Sequence, residues 1–397
     1  MSLDLIPVAP PVLEWARRSV GLSVDAAAHK LQLVPATVEG WESGSVSPTI
    51  KQLRRAAAVY KRPLAVLLLP IPPRDFDALK DFRLTAAHDM ERPWSPELHS
   101  EFRRSLSQRE VFLELSELSP GSVPDAETTP FRTNRSMGAE AVGAQVRDVL
   151  ELDSIRPASW GNAGEALNAC ITAAERLGMI VLQTKGIDHD EMCGFSISDW
   201  PFPVVALNGK DAPRARIFTL LHEVCHIGLH AGGLCDLHER KLNASPDDRL
   251  EHFCNEVAAS ALMPATPFLA VSAVQRAAAD HQWSLDELSA LCHRFGASSQ
   301  AVLLRLVSLG KATWELYWKR EPELARAYEE ARQREKDRQR ESGGGPSYYV
   351  VKARDLGHGY IASVLDAFHA RAISSMDVAD YLEVRFDQVP KLQAAVR

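Results

Sequence analysis

The segment RIFTLLHEVCHIGLH, residues 216–230, constrains this chain more than any other stretch. It holds H-E-x-x-H as His222, Glu223, Val224, Cys225 and His226 inside a run of helical periodicity. Residues four apart share a helical face, so both imidazoles can reach one ion. The plain alternative is a surface helix with ordinary histidines.

A catalytic zinc needs three protein ligands and an open position. In this motif the Glu is the general base, which assigns Glu223 to taking a proton from the attacking water. The third ligand should come from another helix, and LEHFCNEVAASALMP places Glu251 25 residues after His226, with Asn255 four further on. Glu251 is the expected ligand, and Asn255 is expected behind the metal shell, orienting an imidazole. Glu256 is the rival, but it lies about 140° around the helix from Glu251, so only one of the two should face the ion. A third His six residues after the second is excluded, because position 232 is Gly. Zinc is the cofactor expected from the ligand types, one ion, and the same donors also accommodate manganese.

Length bears on what surrounds this helix. At 397 residues the chain exceeds one ordinary core, and 46% hydrophobic with 24% charged residues is the balance of packed, soluble protein. The start MSLDLIPVAP lacks a basic segment followed by an apolar one, and the apolar run near Leu64–Leu69 is too short to span a membrane. Six cysteines without CxxC spacing read as reduced thiols, so a cytoplasmic location without membrane association is expected.

Residues 10–70 read as short helices. Leu13, Ala16 and Val20 have helical spacing, Ser23 can cap a second helix, a third runs from Pro35 to Gly44, and others follow Thr49 and Pro63. Pro70, Pro72 and Pro73 suggest a border near 70–75. A helix is expected over Pro96 to Leu118, then a loop over Ser119 to Thr133, a helix over Ala163 to Leu177, and strands at MIVLQ, GFSIS and PVVALN. Past Trp314 the sequence is highly charged through Glu341, which predicts a solvated helix ahead of a flexible Gly343–Gly345 break.

Three separated segments, in order, carry a resemblance: PVVALN, RIFTLLHEVCHIGLH and ExxCNEVAASALMP. Over roughly residues 150–310 the chain resembles the ImmA/IrrE family of metallopeptidases. The resemblance implies zinc on His222, His226 and Glu251, a Leu262-Met263-Pro264 turn ending the second helix, and Val204 to Asn208 as an edge strand that aligns a substrate backbone. Cys225 and Cys254 stand where the family usually has Gly and Ala. The resemblance also implies a protein substrate, a helix-turn-helix (XRE-type) repressor cleaved to release its genes.

SVDAAAHKLQLVPATVEGWESGSVSPTIKQLRRAAAVY resembles a λ-repressor-like (XRE-type) helix-turn-helix. Its candidate groove residues are Ala36, Thr37, Glu39 and Gly40, none of which is a strong reader of purine edges. Lys51, Arg54, Arg55, Lys61 and Arg62 could meet phosphates, or simply form a solvated face. The net charge is +4 over residues 1–74 and −11 over the rest, which permits a local DNA contact through the N-terminal domain without predicting one.

Together these give an α+β, mainly helical chain. An N-terminal five-helix helix-turn-helix domain spans 8–72 and a helical connector 73–136. A zincin-like metallopeptidase domain with a small sheet and the HExxH helix spans 137–318. A charged helix with a Gly linker covers 319–346, and a small helical C-terminal module covers 347–397. The leading function is a zinc-dependent regulatory endopeptidase. The rivals are a DNA-binding regulator whose peptidase-like domain is a sensor, and an antitoxin-like protein. His230 could bind substrate or finish its helix, and Cys225 and Cys254 could serve redox control or simply pack. Cys235, His238 and His252 match no zinc-ligand spacing.

Overall fold

The computed structural model describes residues 7–62, 64–72, 94–119, 121, 123–124, 131–155, 162–189, 191–230, 234–235, 246–341 and 347–396. Contacts divide the chain into two compact units, Met1–Leu106 and Ser107–Arg397. The border expected at 70–75 adjoins residues 73–93, and the expected Gly343–Gly345 break falls in 342–346; both stretches lie outside the described set.

The first unit holds α1 (Pro10–Arg18), α2 (Val24–Leu31), α3 (Pro35–Ser43) and α4 (Ile50–Val59). Each start is written locally. Pro10 and Pro35 open their helices, the Ser23 hydroxyl accepts from Ala26 N at 3.1 Å, and Thr49 and Gln52 form a reciprocal capping box. Leu13, Leu31, Val38, Trp41 and Leu53 meet in one core. The fifth element expected of this region is a single 3-10 turn, Val66–Leu68, among the described residues; the prolines at 63 and 70 leave little room for more. Arg17 locks α1 to α3, donating to both Glu42 oxygens at 2.6 and 2.7 Å and to the Leu22 carbonyl.

Helix α5 (Pro96–Leu118) carries the division between the units. The second unit continues with α6 (Ala139–Val149), α7 (Ala163–Arg176), β1 (Ile180–Thr184), β2 (Gly194–Ile197), β3 (Val204–Asn208), α8 (Pro213–Gly228), β4 (Leu234–Cys235) and α9 (Pro246–Leu262). Two short helices, α10 (Ala265–Leu269) and α11 (Ser272–Arg276), precede α12 (Leu285–Phe295), α13 (Ser299–Ser308) and the long α14 (Trp314–Glu341). The chain then adds α15 (Tyr348–Leu356), α16 (His358–His369), α17 (Ser375–Tyr381) and α18 (Val389–Val396). The described residues are mainly helical with one small sheet, consistent with α+β. Among them no helix is long and apolar enough to cross a membrane.

Helix α8 is buried on every side from Arg216 to Gly228, because α6, α7 and α9 pack around it and the sheet lies against it. A helix enclosed this way is apolar all round, so His222 and Glu223 in its middle need a reason to be there. Arg305 of α13 ties the helices together, donating to the Met263 carbonyl at 2.8 Å and pairing with Glu140 of α6.

The strand order is β1-β3-β2-β4, with β1 parallel to β3 and the other pairs antiparallel. This corrects the expectation that Val204 to Asn208 is an edge strand. β3 sits between β1, where Ile180 pairs with Val204, and β2, where Gly194 pairs with Leu207. Its backbone is engaged on both sides and cannot take a substrate strand.

In the C-terminal part, α15 and α16 pack on β1. Ile180 N donates to the Pro203 carbonyl beside β3, so alternation turns the Val181 carbonyl to the opposite side of β1. Gly357 sits there so closely that a Cβ would come 2.6 Å from the Val181 oxygen. Two residues on, Gly359 N donates to Glu175 Oε1 at 3.1 Å. Burial raises the Glu175 carboxyl to about 7, against the lowering effect of that N–H. A raised carboxyl contributes stability below its unfolded pKa and loses it as pH rises through the folded one. Glu175→Gln is therefore expected to melt above the wild type at pH 8, with the difference shrinking toward pH 5 in parallel thermal melts.

Candidate metal centre

The motif helix α8 and the crossing helix α9 bring three donors to one point. His226 Nε2 lies 2.9 Å from His222 Nε2, and Glu251 reaches them with Oε2 at 3.2 Å from His222 and Oε1 at 3.3 Å from His226. Donors about 2.0–2.2 Å from one zinc in tetrahedral array stand roughly 3.3–3.6 Å apart, and these separations approach that spacing. His222 is fully buried and Glu251 nearly so. Burial works against the Glu251 charge, but His222 and His226 hydrogen-bond to it and hold its carboxyl well below the usual range. Burial likewise opposes a charged His226, yet Glu251 keeps that imidazole up to about 9. Both shifts describe a place that favours positive charge.

Glu256 turns away, lying 3.5 Å from His252 on another face, as the helical offset from Glu251 requires. Asn255 is buried one turn after Glu251, with its side-chain oxygen unpartnered among the described residues; it is near the centre without the orienting hydrogen bond expected of it. His230 is exposed just past the end of α8, in the left-handed region at φ 52°.

Glu223 follows His222 on α8 and is fully buried, and neither carboxylate oxygen has a hydrogen-bond partner among the described residues. Burial raises its pKa, opposed by the two imidazoles and by the Ser196 hydroxyl, which is close enough to favour the charged form but falls short of full hydrogen-bond geometry. Such a carboxyl costs free energy unless it faces a partner, and a water bound to an ion at the donor triangle would be such a partner. The residues therefore fit a divalent ion: three donors near ligand spacing and a buried, unsatisfied carboxylate beside them.

Strand β2 makes room for that carboxylate. A Cβ on Gly194 would come 2.4 Å from Thr219 Cγ2, 3.1 Å from the Ala206 oxygen and 3.2 Å from Glu223 Oε1. Gly194→Ala should lower stability by about 1–3 kcal/mol, read as a lower urea midpoint at unchanged slope.

Cys254 is the donor that sequence reasoning passed over. It is fully buried, and its sulfur lies within 4.8 Å of ligand nitrogens of His222 and His226. Its position three after Glu251, one helical turn, was the available clue. The cysteines at 170, 193, 225, 254 and 292 are buried and unbridged, whereas position 238 lies outside the described residues.

In the first unit Lys51, Arg54 and Arg55 line the exposed side of α4, Glu39 is exposed on α3 and Thr37 is half-buried. Gly40 is corrected as a groove residue. It is buried, and a Cβ there would come 2.9 Å from Val46 Cγ2, so it serves the close return of the chain after α3.

Residues 174–307 match the peptidase M78 family model, described as the IrrE N-terminal-like domain. The matched stretch contains all three donors and Glu223. It supports kinship with ImmA/IrrE proteins and a metallopeptidase-like function using a metal, typically zinc. No curated protein and no solved structure matches the chain.

Proposed function

We propose that this chain is a zinc-dependent regulatory endopeptidase whose substrate is a helix-turn-helix repressor. The observation that carries the reading is the unpartnered, fully buried Glu223 beside the His222, His226 and Glu251 triangle. His222, His226 and Glu251 would hold the ion, which when bound supplies Lewis acidity toward water and a peptide carbonyl. Glu223 takes the proton from the attacking water and delivers it to the leaving amine. The buried surroundings on β2 and α8 exclude bulk water and strengthen both transfers. Kinship with ImmA/IrrE proteins supports the substrate class, and the exposed Lys51, Arg54 and Arg55 support docking of the N-terminal unit on DNA or on the repressor.

Zinc-loaded full-length protein incubated with XRE-type repressors of the same genome should cut at least one at a defined bond. A chelator should stop the cleavage and added zinc restore it. Zinc retained on His222, His226 and Glu251 with no cleavage of any repressor would leave the sensor reading in its place.

A further inference from the structure

A second donor set assembles at the other end of α8. His189 Nδ1 lies 2.7 Å from Asp211 Oδ1 and 3.9 Å from Cys193 Sγ, and all three donor atoms fall within 4.8 Å of one another. Cys193 and Asp211 are 2% and 4% exposed, and His189 is half-buried. Asp211 stands just before α8, whose start at Pro213 is nine residues ahead of His222, so about 14 Å of helix rise separates the two places.

Backbone bonds hold this set in position. Asn208 N donates to the Cys193 carbonyl at 2.9 Å, and Asn208 Nδ2 donates to the Met192 carbonyl at 2.7 Å. Asp211 N donates to the Asn208 carbonyl at 3.0 Å, and Ala212 N to the Tyr328 hydroxyl at 3.0 Å. The loop after β1 is thereby fixed against the start of α8.

An ordinary ion pair does not use what is here. One ring nitrogen carries at most one hydrogen, yet a carboxylate oxygen and a sulfur both converge on His189 Nδ1. The sulfur also lies 4.0 Å from the His189 carbonyl, the far limit of a sulfur hydrogen bond. Asp211 Oδ2 is buried without a hydrogen-bond partner among the described residues. A cation in place of the proton takes nitrogen, sulfur and carboxylate oxygen together. Tetrahedral zinc would set nitrogen and sulfur roughly 3.6 Å apart and nitrogen and oxygen roughly 3.3 Å apart, so from 3.9 and 2.7 Å the sulfur would close by a few tenths of an ångström and the carboxylate oxygen would open by about 0.6 Å. The hydrogen bonds that Asp211 and Cys193 accept from the imidazole outweigh burial and hold its pKa up to about 11, so the surroundings favour positive charge.

We propose that His189, Cys193 and Asp211 form a second site for a thiophilic divalent transition metal, zinc by donor type, that pins the loop after β1 to the start of α8. Binding deprotonates the Cys193 thiol and the His189 imidazolium, and the released protons go to solvent. The site is independent of peptide hydrolysis.

Full-length protein stripped of metal and titrated with Co2+ tests the assignment, because thiolate ligation gives cobalt a near-ultraviolet charge-transfer band that imidazole and carboxylate do not. The band should persist in His222→Ala and in Cys254→Ser and vanish in Cys193→Ser, with one ion per chain lost. A band that survives Cys193→Ser, or that vanishes in Cys254→Ser instead, overturns the proposal. Should Cys193→Ser fail to fold by circular dichroism, Asp211→Asn decides. It keeps the sulfur and should weaken cobalt binding at this site at least about tenfold, and unchanged affinity overturns the proposal.

Discussion

Glu223→Gln is expected to lower kcat by about 10^2 to 10^4-fold while leaving zinc content unchanged. The range is what a positioned general base contributes. Glutamine keeps the size of the side chain that β2 accommodates beside Gly194, and Glu223 is not among the three close-set donors. The amide cannot accept the proton, so loss of rate should come without loss of metal. Metal content by mass spectrometry alongside single-turnover cleavage separates the two. Zinc lost together with activity would mean that Glu223 is a ligand or a support, and equal activity would remove it from the chemistry.

The second large effect concerns stability. Trp283 lies between α11 and α12, fully buried in the core that also holds α8 and α9. Its indole N–H donates to the Lys311 carbonyl at 2.8 Å, and its ring meets His281 edge-on at 4.6 Å. Trp283→Ala should cost about 3–5 kcal/mol through the cavity and the lost packing. Trp283→Phe keeps most of the ring and should cost distinctly less. Urea denaturation followed by circular dichroism gives both numbers, and a loss below about 1 kcal/mol for the alanine variant would show that the core collapses around the gap.

What the sequence disclosed was what local rules govern. Ser23, Pro35 and Thr49 announced their helices because caps act over a single turn. The His222–His226 spacing followed from the helical period, which also required that only one of Glu251 and Glu256 face the ion, and it is Glu251 that meets the imidazoles. Strand order was hidden, because pairing β1 with β3 across β2 is a long-range event that no local period records. A trace was present all the same: VVALN is apolar without alternation, the pattern of a strand covered on both faces. The His189, Cys193 and Asp211 set was hidden for a similar reason, since Asp211 arrives from beyond two further strands.

The close seat of Gly357 against the Val181 carbonyl bears on how the molecule behaves in company. Val181 faces the side of β1 that β3 leaves open, and an open strand flank is a template on which a second chain can pair. The turn between α15 and α16 stands on that flank at backbone range. Glycine is what lets it come so near, and any side chain there would lift the turn off the strand. The C-terminal helices thus cover that flank: a chain cut before Ser347 would keep His222, His226, Glu251 and Glu223 but present an unshielded strand to its neighbours.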